Sequence, residues 1–93
     1  MAKKAIIMHS EDNVATVLEK VGKGEEIEFE KGFGDTELIT ALSKIRFLHK
    51  VAIKDIPEGT AVVKYGQIIG KATQEIQKGT HVHTKNVKSW FYS

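Results

Sequence analysis

Three copies of one short pattern constrain this chain more than any other feature. Val21-x-x-Gly24-x-x-Ile27, Ile56-x-x-Gly59-x-x-Val62 and Ile76-x-x-Gly79-x-x-Val82 each set a glycine midway between two apolar residues. Physically, the first apolar side chain plugs the interior and the glycine takes a positive φ that turns the chain. A strand then leaves with its own apolar residue facing inward. The second and third copies are related more closely, pairing Asp55-Ile56 with Glu75-Ile76 and Gly59-Thr60 with Gly79-Thr80. Three such corners predict a compact, folded-over β unit with pseudo-symmetry. They are too few and too short for a solenoid.

The segments between the corners support a mainly β chain with one or two short helices. Ala5 to Met8 is a short apolar run that suits a buried strand ending at His9. Val14, Val17, Leu18 and Val21 recur at helical spacing, which predicts about two turns of helix capped by Ser10 or Asp12. Glu26 to Glu30 alternates charged and apolar side chains, as a half-exposed strand does. Thr36 to Phe47 fits a helix through Leu38, Ile39, Leu42 and Ile45, or strand and loop. Val51-Ala52-Ile53 reads as a strand, and Lys54 to Gly59 as a tight turn holding the single proline. Thr60 to Lys64 and Gln67 to Ala72 flank Tyr65-Gly66 and predict a hairpin. The last corner leads into a histidine-bearing strand.

Ninety-three residues make one domain, expected to span residues 1–93. With 41% hydrophobic and 28% charged residues the chain is of ordinary globular composition, which argues against disorder. A net charge of +2, with basic residues scattered among acids, implies no strong field for nucleic acid or an anionic membrane. There is no cysteine, so neither a disulfide frame nor a thiolate metal site can form. No run is apolar and long enough for a membrane span or a secretory signal, and the expected location is the cytoplasm.

The chemistry concentrates in the histidines. His81 and His83 lie two positions apart on a predicted strand, so both imidazoles share one face while Val82 points into the opposite layer. Such a pair can share a metal, an anionic substrate or a proton-relay role, or simply decorate an exposed face. Two imidazoles are an incomplete metal site, because a tight one needs three or four ligands. His9 and His49 could complete it, although a single histidine at a strand end is ordinarily a surface residue. Lys50 could hold a substrate carboxylate or remain solvated. Gly66 and Gly70 read as turn glycines, since no phosphate-cradling pattern accompanies them. Trp90-Phe91-Tyr92 suits either a partner surface or closure over the chain's own core.

These residues also carry a resemblance. His9 with Asp12-Asn13-Val14-Ala15, the run His49 to Gly59, Val63-Lys64-Tyr65-Gly66, Ile69-Gly70-Lys71-Ala72, and Gly79 to Thr84 with Asn86 are similar, in that order, to the altronate dehydratase family. The match is to the small amino-terminal domain, of the SAF superfamily with a β-clip fold, and is poor only from Lys31 to Leu48. Relatives act as sugar-acid dehydratases on altronate or galactarate, or as sulfolactate sulfo-lyase, and some divide small and large parts between two chains. The resemblance therefore implies the small subunit of a two-chain lyase, inactive alone, that meets a large catalytic subunit and a sugar-acid substrate; the alternatives are the small subunit of a sulfolactate sulfo-lyase or a stand-alone module that binds a carbohydrate acid or a protein without catalysis. A small subunit on its own could self-associate through the surface meant for that partner. The resemblance also implies a divalent metal, iron(II) above all, shared with or held by the large subunit. By position it implies His49 and Lys50 as catalytic residues, His9, Asp12 and Asn13 as substrate contacts, and His81 and His83 as metal ligands. Two departures matter. Lys85 stands where the family usually has a third histidine, and Leu48 where it has glycine, which predicts a different turn before His49.

Overall fold

The computed structural model describes residues 2–32 and 34–89. The described residues form strands, turns and bends and contain no helix. The strands are β1 (Lys3–Ile6), β2 (Val14–Val17), β3 (Glu26–Gly32), β4 (Asp35–Thr40), β5 (Lys50–Ala52), β6 (Ala61–Lys64), β7 (Gln67–Ala72), β8 (His81–Val82) and β9 (Val87–Lys88). One sheet runs β4-β3-β1-β2-β5-β8 and a smaller one β6-β7-β9. Among the described residues no helix is long and apolar enough to cross a membrane. The Trp90-Phe91-Tyr92 reading lies outside the described residues.

The predicted helix after Asp12 is a strand, and the reason is double burial. All four residues of β2 are buried, Ala15 and Val17 in one apolar cluster and Val14 in the other. A strand covered on both faces loses its polar alternation, so spacing alone does not separate it from a helix. The ambiguous stretch from Thr36 resolves into β4, which pairs with β3 from Thr40 opposite Glu26 to Asp35 opposite Gly32.

The repeated pattern is the framework of the domain, and it occurs four times. Ile45-x-x-Leu48-x-x-Val51 is a further copy with leucine at the glycine position. Each corner closes an i to i+3 turn, through Glu25 N to Gly22 O, His49 N to Arg46 O, Thr60 N to Pro57 O and Thr80 N to Gln77 O. The third residue of each turn has positive φ: +90° at Gly24, 66° at Leu48, +85° at Gly59 and +96° at Gly79. This places the required left-handed residue where a type II turn has it. Leu48 thus makes the same turn as the three glycine corners of this chain.

The corners interlock in pairs. Val21 bridges Ile45, and Ile56 bridges Ile76. Within the first pair Gly24 donates to Ala41 O and Leu48 to Val17 O; within the second Gly59 donates to Ala72 O and Gly79 to Ala52 O. The apolar plugs Val21, Ile45, Ile56 and Ile76 are each 0–1% exposed. Burial of such a side chain is worth about 1.5–3 kcal/mol. Each pair encloses one cluster, and β2 and β5 run between the two.

Candidate functional site

The two corners at Leu48 and Gly79 deliver histidines to one place. Strand β5 follows the first and β8 the second, and they pair antiparallel with Val51 opposite His81. His49 and His81 therefore share a face, and His49 Nδ1 lies 2.9 Å from His81 Nε2 in hydrogen-bond contact. His83 joins from the same face of the chain. Its ring stacks on His81 with centroids 4.4 Å apart and an interplanar angle of 19°. The expectation that His81 and His83 point the same way, with Val82 in the core, holds.

Several side chains fix this row. Buried Asn86 donates from Nδ2 to His81 O and accepts at Oδ1 from His83 N, which sets the short bend between β8 and β9. Ser43 Oγ accepts from His81 N. Neither Ser43 nor Arg46 stands out in the sequence, because neither belongs to a motif and the folded chain alone brings them near. Burial first, then the neighbouring His83, His49, Lys50 and Arg46 charges, push His81 down to about 4. At neutral pH it is an uncharged imidazole that can donate one hydrogen bond and accept another.

A groove of about 770 Å³ runs past the row along edge strand β8, lined by Arg46, Leu48, His49, Lys50, His81, His83 and Lys88 among others. Among the described residues its lining includes three cations and no carboxylate. Alternation along β5 starts Lys50 on the face opposite His49, shared with Thr16 of β2, and Lys50 nevertheless lines the groove. Burial and then the nearby Lys64 charge lower the Lys50 pKa.

The substrate-contact expectations fall elsewhere. Asp12 is 1% exposed and binds backbone: its carboxylate accepts from Met8 N, His9 N and Gly66 N. Burial alone would raise its pKa, but the backbone donors of Gly66, Met8, Tyr65 and His9 together hold it below the usual value. Asn13 donates to Ala61 O and accepts from Val63 N. Both side chains fasten the β6–β7 hairpin to the segment leading into β2. His9 packs against Gly66, accepts from Glu11 N, and lines a separate hollow with Ser10 and Lys31.

The metal that the resemblance implies does not fit this chain's residues alone. A single ion would need nitrogen lone pairs converging at about 2.0–2.1 Å. Stacked rings 4.4 Å apart direct theirs in nearly parallel planes. Among the described residues no group of three or more His, Asp or Glu is arranged to hold an ion. Lys85, at the family's third-histidine position, is exposed and does not line the groove.

Fold and groove together define a small β-clip domain that presents a histidine row along one sheet edge. The chain belongs to the SAF-domain family of altronate and galactarate dehydratases, whose family model, "Altronate/galactarate dehydratase SAF domain", matches residues 3–90. Altronate dehydratase of Bacillus subtilis (strain 168) is 37% identical over 87 residues, covering 94% of this chain and 16% of that protein. Altronate dehydratase of Escherichia coli (strain K12) is 36% identical over 84 residues, again 16% of its length. The (2R)-sulfolactate sulfo-lyase subunit alpha of Paracoccus pantotrophus is 43% identical over 51 residues, 55% of this chain and 76% of that subunit. The chain thus spans about a sixth of the altronate dehydratases it matches.

Proposed function

We propose that this chain is the small subunit of a two-chain lyase that eliminates water from a sugar acid. It contributes the histidine groove to an active site completed by a separate large subunit. The observation that carries the reading is the groove itself: three adjoining imidazoles with cations and, among the described residues, no acid along the edge strand β8. Cations suit the carboxylate of a 2-hydroxy acid, and imidazoles suit moving the proton that elimination releases. Lys50 binds and orients the carboxylate. His49 accepts or returns the proton, held in register by its hydrogen bond to His81, which stays neutral and serves as partner rather than charge. Because these side chains do not converge on an ion, the divalent metal, iron(II) in the resemblance, is assigned to the large subunit. The chain alone is expected to be inactive.

Co-expression with a large dehydratase subunit encoded beside it tests the reading. The pair should dehydrate altronate or galactarate while neither chain does so alone. A His81→Ala, His83→Ala double variant should lower kcat about a hundredfold or more, as loss of positioned acid–base groups does. Full activity in that variant removes the histidine assignment. A second reading, small subunit of a sulfolactate sulfo-lyase, is favoured by coverage, since the match fills 76% of the Paracoccus subunit. Sulfite release from sulfolactate by the same pair, without sugar-acid dehydration, selects it.

A further inference from the structure

The hairpin between β6 and β7 carries a strained tyrosine that the histidine row does not explain. Lys64 pairs with Gln67 across the two-residue loop Tyr65-Gly66, and both loop residues have positive φ, 55° and 77°. A loop of this kind favours Asn-Gly, and a tyrosine there is held against its steric preference. Asp12 Oδ1 supports the turn by accepting from Gly66 N. The turn sends the tyrosine ring back over the larger sheet, where Tyr65 Oη donates to Thr16 Oγ1 at 3.2 Å. Thr16 is the register partner of Lys50, so their side chains rise from the same face. Lys64 Nζ lies 5.0 Å from the centre of the Tyr65 ring. The phenol therefore lies on the face of β5 from which Lys50 rises, with the Lys64 ammonium over its ring.

The charge there is unbalanced. Among the described residues, ion pairs engage Lys3, Lys4 and Lys31, around β1, β3 and β4. Among the described residues neither Lys50 nor Lys64 has an acid partner, although both are half-buried. Two cations without acid partners beside the Tyr65–Thr16 hydroxyl pair, in which Thr16 accepts from Tyr65 and keeps its own proton to donate, form the complement of an oxyanion.

We infer that Lys50, Lys64 and Tyr65 form an anion subsite that takes a carboxylate of the ligand at the end away from the histidine row. Only the identity of that ligand, a hydroxy acid, rests on the function proposed above. Lys50 also lines the histidine groove, so a ligand with carboxylates at both ends would be held at one end by this subsite and reach the imidazoles with the other.

The test is a titration of the 93-residue chain, labelled for amide and side-chain NMR, with tartrate at constant ionic strength, and in parallel with inorganic phosphate. Saturable shifts at Lys50, Lys64 and Tyr65 are expected with tartrate. They should weaken about tenfold in Lys64→Gln and several-fold in Tyr65→Phe, which keeps the ring and the turn, but not in Lys31→Gln. Shifts that do not saturate, or that persist unchanged in Tyr65→Phe and Lys64→Gln, overturn the subsite. Binding of phosphate without tartrate overturns the hydroxy-acid assignment. Since this reads binding to the chain alone, its failure leaves the activity test of the two-chain lyase unaffected.

Discussion

Two corners with the same backbone turn feed the histidine row, and they tolerate side chains very differently. At Gly79 a β-carbon would sit 2.2 Å from Thr40 O and 3.2 Å from the Leu42 side chain. The segment from Thr40 to Leu42 crosses over this corner, with Leu42 N donating to Gly79 O, and leaves no room. At Leu48 the side chain is 54% exposed on the lip of the groove. One corner demands glycine twice over, for its φ and for its space. The other demands only the φ, which leucine meets at a cost of about 1–2 kcal/mol. What a repeated backbone motif requires of its residues is therefore set by what crosses over it.

The largest effect should come from closing the crowded corner. Gly79→Ala is expected to destabilise the chain by about 3 kcal/mol or more, strain and overpacking together. Gly59→Ala, where a β-carbon meets nothing within 4 Å, should cost only about 1–2 kcal/mol. Urea unfolding of both variants measures the difference, and equal losses would break the comparison.

The histidine that follows the crowded corner should give the domain an acid sensitivity of its own. With its pKa lowered from 6.5 to about 4, His81 is held uncharged by the fold. Its contribution is complete above pH 6.5 and is lost as pH falls toward 4, because the unfolded chain takes up the proton first. Asp12, lowered from 3.8, gives up its contribution only below that value. Unfolding midpoints at pH 7, 5.5 and 4.5 should fall in the parent and stay flatter in His81→Gln.

The smallest effect is expected at the open corner. Leu48→Gly relieves left-handed strain but frees the unfolded chain, leaving a net gain of about 0.5 kcal/mol. Thermal unfolding should show a melting temperature equal to or slightly above the parent's. A clear loss would mean that Leu48 packs in a way its exposure does not suggest.

Much of the fold could be read before any coordinates, and the reason is local. Ile56, Gly59 and Val62, or Ile76, Gly79 and Val82, specify a corner through their own φ and burial preferences. The Tyr65-Gly66 hairpin and the shared face of His81 and His83 follow from the same short-range rules. What stayed hidden depended on neighbours distant in sequence. Val14 to Val17 resembled a helix because a second cluster covers the strand's other face. The fourth corner escaped notice because leucine replaces the glycine that marks the rest. Ser43 gained its place beside His81, and Tyr65 its place against Thr16, only through contacts made across the folded chain. Asp12 and Asn13, singled out for substrate, are taken up by backbone groups up to 54 residues away. The sequence by itself determined the corners, the hairpin and the histidine face, because turn geometry and alternation act within a few residues. Which corner may bear a side chain, that His49 meets His81, and that Lys50 leaves β5 on the Thr16 face emerge only in the folded chain. Those outcomes depend on strand register and on which segment crosses another, and neither is written in a local pattern.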